Sequence, residues 1–300
     1  MMRSLLFVPG DSERKMLKAI SSGADALILD LEDSVALSRK AEARNTVSAF
    51  LTDTGRGTDT PLLIVRINAL DTGLSDDDLA AVIPAAPDAI LLPKAGSGAE
   101  IQDLSARIAV HEAEAGLEDG KIRIHALMTE TAGGMLSAAS FAAKSERLSA
   151  LAWGAEDLAA DIGASSNKDE NGVYTDVFRL ARSLAILAAA NSRVDAIDTV
   201  FTDFRDLDGL DTECRAAVRD GFSGKMAIHP DQVAVINRAF TPPSEDVERA
   251  VRIMALFAAA GPDAGVLSLD GKMIDKPHLR QAERVARMAG LSPDAIPSVS

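Results

Sequence analysis

IRIHALMTETAGG (residues 122–134) and LSALAWGAEDLAADIG (residues 148–163) each run an apolar, β-type segment into an acidic residue and then into a helical stretch. Glu130 ends the first run and Asp157 the second, so two strand ends present carboxylates side by side in the chain's order. A hard divalent cation such as Mg²⁺ takes oxygen ligands and commonly uses only one or two protein carboxylates, leaving its other positions to water and substrate. Either acid alone also suits the first turn of a helix, where Asp and Glu are favoured. Their recurrence in one pattern points to a metal site.

The alternation extends outward in both directions. SLLFVPG (4–10), ALILDLED (26–33), LLIVRIN (62–68) and AILLPK (89–94) come before, AIDTVF (196–201) and GKMAIHP (224–230) after, and each is followed by a helical stretch. Runs this apolar are buried on both faces, and eight strand-helix units in about 240 residues predict a (β/α)₈ TIM barrel. A doubly wound open sheet is the alternative. No Gly-x-Gly-x-x-Gly follows a strand, so a dinucleotide-binding domain loses support. From about Thr241 the repeat stops. A Pro-started helix, a hairpin around VLSLDGKMID (266–275) and a last helix make residues 241–300 an appendage to a barrel of residues 1–240. The loop ASSNKDENGVYTD (164–176), rich in turn formers, reads as a mobile rim near the metal or equally as ordinary surface.

Composition sets limits on partners. The chain of 300 residues is 47% hydrophobic and 25% charged, enough for a large core. LAILAAA (184–190) falls far short of the roughly 20 apolar residues that cross a bilayer, and MMRSLLFVPG has too short an apolar run for a signal peptide. A cytoplasmic setting without membrane partners is expected. The single cysteine, Cys214, excludes an internal disulfide framework or a cysteine-based metal cluster and reads as an inert helix thiol. A net charge of -14 argues against nucleic acid, while local basic residues could still receive an anionic substrate.

Polar residues gather where a barrel places its chemistry. Asp30, Glu32, Asp33, Arg66, Asn68, Lys94, Glu130, Asp157 and His229 lie at or just past predicted strand ends, the face built from βα loops. Asp30 and Glu32 could equally organise their loop, and Lys94 could pair with a carboxylate. Arg66 stands out, because an arginine in a barrel mouth needs an anionic partner, and its fork suits a carboxylate or a developing enolate.

RSLLFVPGDSERKMLKA, ALILDLEDSVA, VRIN, LLPK, ETAGG, WGAEDLAADIGAS, AIDTVFTDFRDLDGL, GFSGKMAIHPDQV and DGKMIDKPHLRQA, in order along nearly the whole chain, resemble the citrate lyase β-subunit and malyl-CoA lyase family of the HpcH/HpaI aldolase group. The resemblance implies a Mg²⁺-dependent barrel, Mn²⁺ being a possible substitute, that breaks or makes a carbon-carbon bond beside a CoA thioester carbonyl. It matches Glu130 and Asp157 to the metal ligands, Glu130 also to a substrate-binding position, and Arg66 to the arginine that binds substrate at the reacting centre. Asp275 matches an acid/base aspartate placed over a neighbouring subunit's site, which implies a homo-oligomer, trimer or hexamer, with the appendage as a shared lid. Phe7, Arg14, Ile228 and His229 fall on substrate- or CoA-contacting positions. Malyl-CoA, methylmalyl-CoA and citramalyl-CoA are the expected kinds of substrate. A malyl-CoA-type thioesterase and a citrate lyase β-subunit working on a carrier-bound thioester are the alternatives, the last disfavoured because an acidic carrier would dock poorly on a chain of this charge.

Overall fold

Ala26–Asp30 is buried at every position, as a strand must be when side chains cover both its faces. The strands on either side of it are buried at most positions. The computed structural model describes residues 2–55, 57, 60–142, 145–261 and 264–291. In it β1 (Ser4–Pro9), β2 (Ala26–Asp30), β3 (Leu62–Arg66), β4 (Ala89–Leu92), β5 (Arg123–Leu127), β6 (Leu148–Ala152), β7 (Asp195–Asp198) and β8 (Gly224–Ala227) pair in sequence order into a closed barrel. All pairings are parallel, and β8 returns to β1 with Leu5 opposite Met226. The open-sheet alternative is thereby set aside.

Period-two alternation divides the strand residues between two faces. Leu5, Ile28, Ile64, Leu91, Leu127, Ile197 and Met226 share one cluster, which fills the barrel. The alternate residues Leu27, Leu29, Leu63, Val65, Ile90 and Leu92 are just as deeply buried, which requires a covering layer on the other face. That layer is helical: α1 (Glu13–Ile20), α2 (Lys40–Asp53), α3 (Ser75–Val82), α4 (Gly98–Glu114), α5 (Ala132–Leu136), α6 (Ala155–Ile162), α7 (Asp176–Ser192), α8 (Leu207–Asp220) and α9 (Pro230–Phe240). Each large aliphatic side chain so buried contributes about 1.5–3 kcal/mol.

Several strands end earlier than their apolar runs. β4 stops at Leu92, because Pro93 has no N–H for the ladder and Lys94 turns left-handed at φ 51°. β6 stops at Ala152, and Gly154 becomes the N-cap of α6. These early stops leave Lys94 and Glu130 in loops and Asp157 in the first turn of α6, all at one end of the barrel.

The chain divides into two compact units, residues 2–236 and the segment from Asn237 onward. In the second, α10 (Ser244–Ala260) is followed by an antiparallel hairpin of β9 (Val266–Leu269) and β10 (Lys272–Asp275), then by α11 (Lys276–Met288). Asp270 at φ 52° and Gly271 at φ 73° supply the two left-handed residues of a tight hairpin turn. Ile253, Phe257, Leu269, Ile274 and Ala282 form this unit's own core. Residues 292–300 of the expected appendage lie outside the described residues. Among those described, no helix is long and apolar enough to cross a membrane.

Candidate active site

The site grows from the register of two strands. Asp30 and Arg66, the last residues of β2 and β3, stand opposite each other in the ladder. The Asp30 carboxylate accepts the backbone N–H groups of Glu32 (2.9 Å) and Ser34 (3.1 Å), folding the loop after β2 around itself. It also accepts Arg66 Nε and Nη2, both at 2.7 Å, in a bidentate pair. Burial works to raise the Asp30 pKa, but the bonds and charge of Arg66 outweigh it and hold the carboxyl below its ordinary range. One edge of the Arg66 fork is therefore taken by Asp30, a carboxylate partner of the kind that an arginine in a barrel mouth needs. Its Nη1 lies 2.8 Å from Glu32 Oε2, an ionic contact whose geometry falls short of a hydrogen bond, and the guanidinium carbon sits 4.8 Å from the centre of the Phe7 ring.

Lys94 ties the loops after β2 and β5 to the first turn of α6. Its backbone N–H donates to Glu130 Oε2 at 2.7 Å. Its ammonium bonds Glu32 and lies 3.2 Å from Asp157 Oδ1 and 3.5 Å from Asp33 Oδ2. Burial would lower the Lys94 pKa, yet the surrounding carboxylates raise it, so the ammonium is a fixed counter-charge. Glu130 is 4% exposed, and burial, with the nearby Asp157 charge adding to it, pushes its pKa up to about 8. Gly154 makes the room for it: a Cβ there would stand 2.7 Å from Glu130 Cγ and 2.9 Å from its Oε1.

Phe7, Arg66, Glu130, Asp157 and Ile228 line one cavity of about 400 Å³, together with Thr199, Val200 and Met226. The donor set fits a hard divalent cation. Two carboxylates are driven together, and Glu130 Oε1 receives no hydrogen bond from a described residue. Among the described residues no cluster of three acids, histidines or cysteines forms a ready metal cage, so any ion held here keeps positions for water or substrate.

Other expected residues lie elsewhere. Arg14 is exposed on α1, and His229 stacks on Phe204 with ring centres 4.8 Å apart; neither lines the cavity. Asn68 is a structural residue, its amide donating to Asp78 at 2.7 Å and to the Leu31 carbonyl at 3.1 Å. Asp275 belongs to the second unit, where it caps α11 in a reciprocal pair with His278. Cys214 is buried and its thiol pushed up to about 12 by that burial, in keeping with an inert role.

The loop of residues 164–176 makes several tertiary contacts. Asn167 donates to Glu156 at 2.8 Å, Lys168 to Glu213 at 3.1 Å, and Tyr174 meets Trp153 edge-on at 5.2 Å. Behind it, fully buried Lys225 bonds Asp198 and Glu213, each at 2.8 Å, and Asp198 accepts the Trp153 indole N–H at 2.7 Å. Neither this network nor the role of Gly154 was foreseen. The one signal in the sequence was a glycine at a strand-to-helix junction.

A model of the HpcH/HpaI aldolase/citrate lyase family matches residues 3–230. The mitochondrial citramalyl-CoA lyase of Rattus norvegicus is 36% identical over 96% of this chain and 86% of its own. A (3S)-malyl-CoA thioesterase of Cereibacter sphaeroides is also 36% identical, over 96% of this chain and 94% of its own. The crystal structure of CitE from Mycobacterium tuberculosis with magnesium, acetoacetate and coenzyme A superposes with a TM-score of 0.74 at 35% identity, covering 96% of this chain and 98% of that one. By its barrel, its strand-end carboxylates and these likenesses, the chain belongs to the HpcH/HpaI aldolase/citrate lyase family.

Proposed function

We propose that the protein is a Mg²⁺-dependent lyase that cleaves, and in reverse forms, the carbon-carbon bond of a 3-hydroxyacyl-CoA such as malyl-, methylmalyl- or citramalyl-CoA. The observation that carries this reading is one cavity in which Glu130 and Asp157 stand beside Arg66. Magnesium held by the two carboxylates would supply Lewis acidity toward the oxygens of the hydroxyacid part. Arg66, oriented by Asp30, meets the negative charge that grows on the thioester oxygen as the bond breaks, and so stabilises the transition state more than the ground state. Phe7 and Ile228 give the cavity apolar walls. Arg14 and His229, outside that lining, are assigned to the CoA portion.

Asp275 is proposed as the acid/base group that protonates the enolate carbon in cleavage and removes the α-proton in condensation. Hydrogen bonding with His278 holds its carboxyl below the ordinary range, and its side chain is one-third exposed. It is supplied by the second unit of an adjacent protomer in a trimer or hexamer. A cytoplasmic setting is supported by the lone, buried thiol of Cys214.

Hydrolysis of the thioester is the second reading, favoured by the equal identity to a thioesterase. Purified protein incubated with Mg²⁺ and a panel of 3-hydroxydicarboxylyl-CoA esters separates the two. The lyase releases a keto acid and an intact acyl-CoA; release of free CoA without keto acid would replace it by the thioesterase.

A further inference from the structure

The barrel has a second cavity, at the end where its strands begin. It measures about 350 Å³ and is lined by Leu62 and Ile64 of β3, Ala89 of β4, His125 of β5, and the cations Lys121 and Arg123. Glu130 and Asp157 lie past the ends of β5 and β6, so this cavity belongs to the opposite face of the barrel. We propose that it is a binding site for a small amphipathic carboxylate, with the apolar body against Leu62, Ile64 and Ala89 and the carboxylate between His125 and Arg123.

Three observations converge on that ligand. His125 is only 5% exposed and its imidazole hydrogen-bonds no described residue, yet its ring nitrogens are not among the sealed, unpartnered polar atoms, so what exposure they have is to the cavity that the ring lines. Burial, and then the positive charge of Arg123, hold that ring neutral by pulling its pKa down to about 4, so it offers one N–H donor. Arg123 and Lys121 sit exposed on the rim, and neither forms an ion pair with a described residue, in a chain with 45 acidic and 31 basic side chains. Asp88 also reaches the wall, but its carboxylate accepts the Leu63 N–H at 2.7 Å, which places an incoming anion on the Arg123 side. A bare inorganic anion would leave the aliphatic wall without a partner. A neutral apolar molecule would leave the two cations and the imidazole without one.

The chain has four histidines, so full-length protein labelled with ¹⁵N-histidine gives a short set of imidazole signals, and His125→Gln identifies the one from the cavity. Benzoate is the probe and benzamide its neutral counterpart, both added in the presence of EDTA. Benzoate should shift the His125 signal saturably and leave His229, near the catalytic mouth, in place. Benzamide at equal concentration should leave His125 unmoved. Arg123→Gln, and separately Lys121→Gln, should each raise the half-saturating benzoate concentration about tenfold. The proposal is overturned if benzoate moves only His229, if His125 stays still up to the solubility limit, if benzamide is as effective, or if neither substitution matters.

Discussion

Gly154 and Arg66 define what single residues do in this mouth. A methyl group at position 154 would press on Glu130 Cγ at 2.7 Å and force that carboxylate to move. Gly154→Ala should therefore keep the fold and weaken the response of turnover to Mg²⁺ by about 10- to 100-fold, the usual scale for groups that orient a metal ligand. Titrating activity with Mg²⁺ measures this, and an unchanged titration would remove Glu130 as a ligand. Arg66→Lys retains the charge but cannot hold both Asp30 oxygens, which the guanidinium now grips at 2.7 Å. Turnover should fall by about 10²–10³-fold with a much smaller change in KM. A raised KM at unchanged kcat would make Arg66 a ground-state binding residue.

Among the elements, β6, β7, β8 and the loop of residues 164–175 are joined by Trp153, Asp198, Lys225 and Glu213 rather than by the ladder alone. Lys225→Met removes the ammonium from two buried or half-buried carboxylates, and uncompensated buried charge costs roughly 3–5 kcal/mol. The urea midpoint should drop accordingly; a midpoint within error of the parent would mean that Arg182, 3.7 Å from Asp198, already suffices. This network also marks the boundary of what the sequence discloses. Eight apolar runs ending in Asp30, Arg66, Glu130 or their like are legible, because strand burial and strand-end chemistry are written in consecutive residues. The left-handed turn at Lys94, the lock between Asp30 and Arg66, and the anchoring of a polar loop depend on partners 11 to 45 positions away, which no local pattern encodes. Composition marks that loop as rich in turn formers, and its contacts with Glu156, Glu213 and Trp153 are what composition leaves out.

At the scale of the molecule, proton uptake and assembly are the testable properties. The folded protein keeps His125 neutral until about pH 4, whereas the unfolded chain takes the proton near 6.5. Protons thus favour unfolding: this contribution is complete above pH 6.5 and is lost as pH falls toward 4, by up to about 3 kcal/mol. Chemical denaturation across that window should show the slope, and His125→Gln should flatten it; an equal slope in both would assign the effect to other groups. Assembly is tested by complementation. Glu130→Gln and Asp275→Asn should each be inactive alone, and mixing them under conditions of proven subunit exchange should restore activity through sites that combine an intact barrel with an intact second unit. No recovery would place Asp275 in its own chain's chemistry or in helix capping only.

Trp153 is the chain's single tryptophan; it is fully buried, bonded to Asp198, and one residue from the glycine that gives Glu130 its space. With no other indole to mask it, the intrinsic ultraviolet emission of the unlabelled protein is a spectroscopic gauge of this one corner. Its wavelength follows the polarity around the ring and its quenching the contact with Tyr174, so filling of the mouth can be timed in a stopped-flow fluorimeter without a dye.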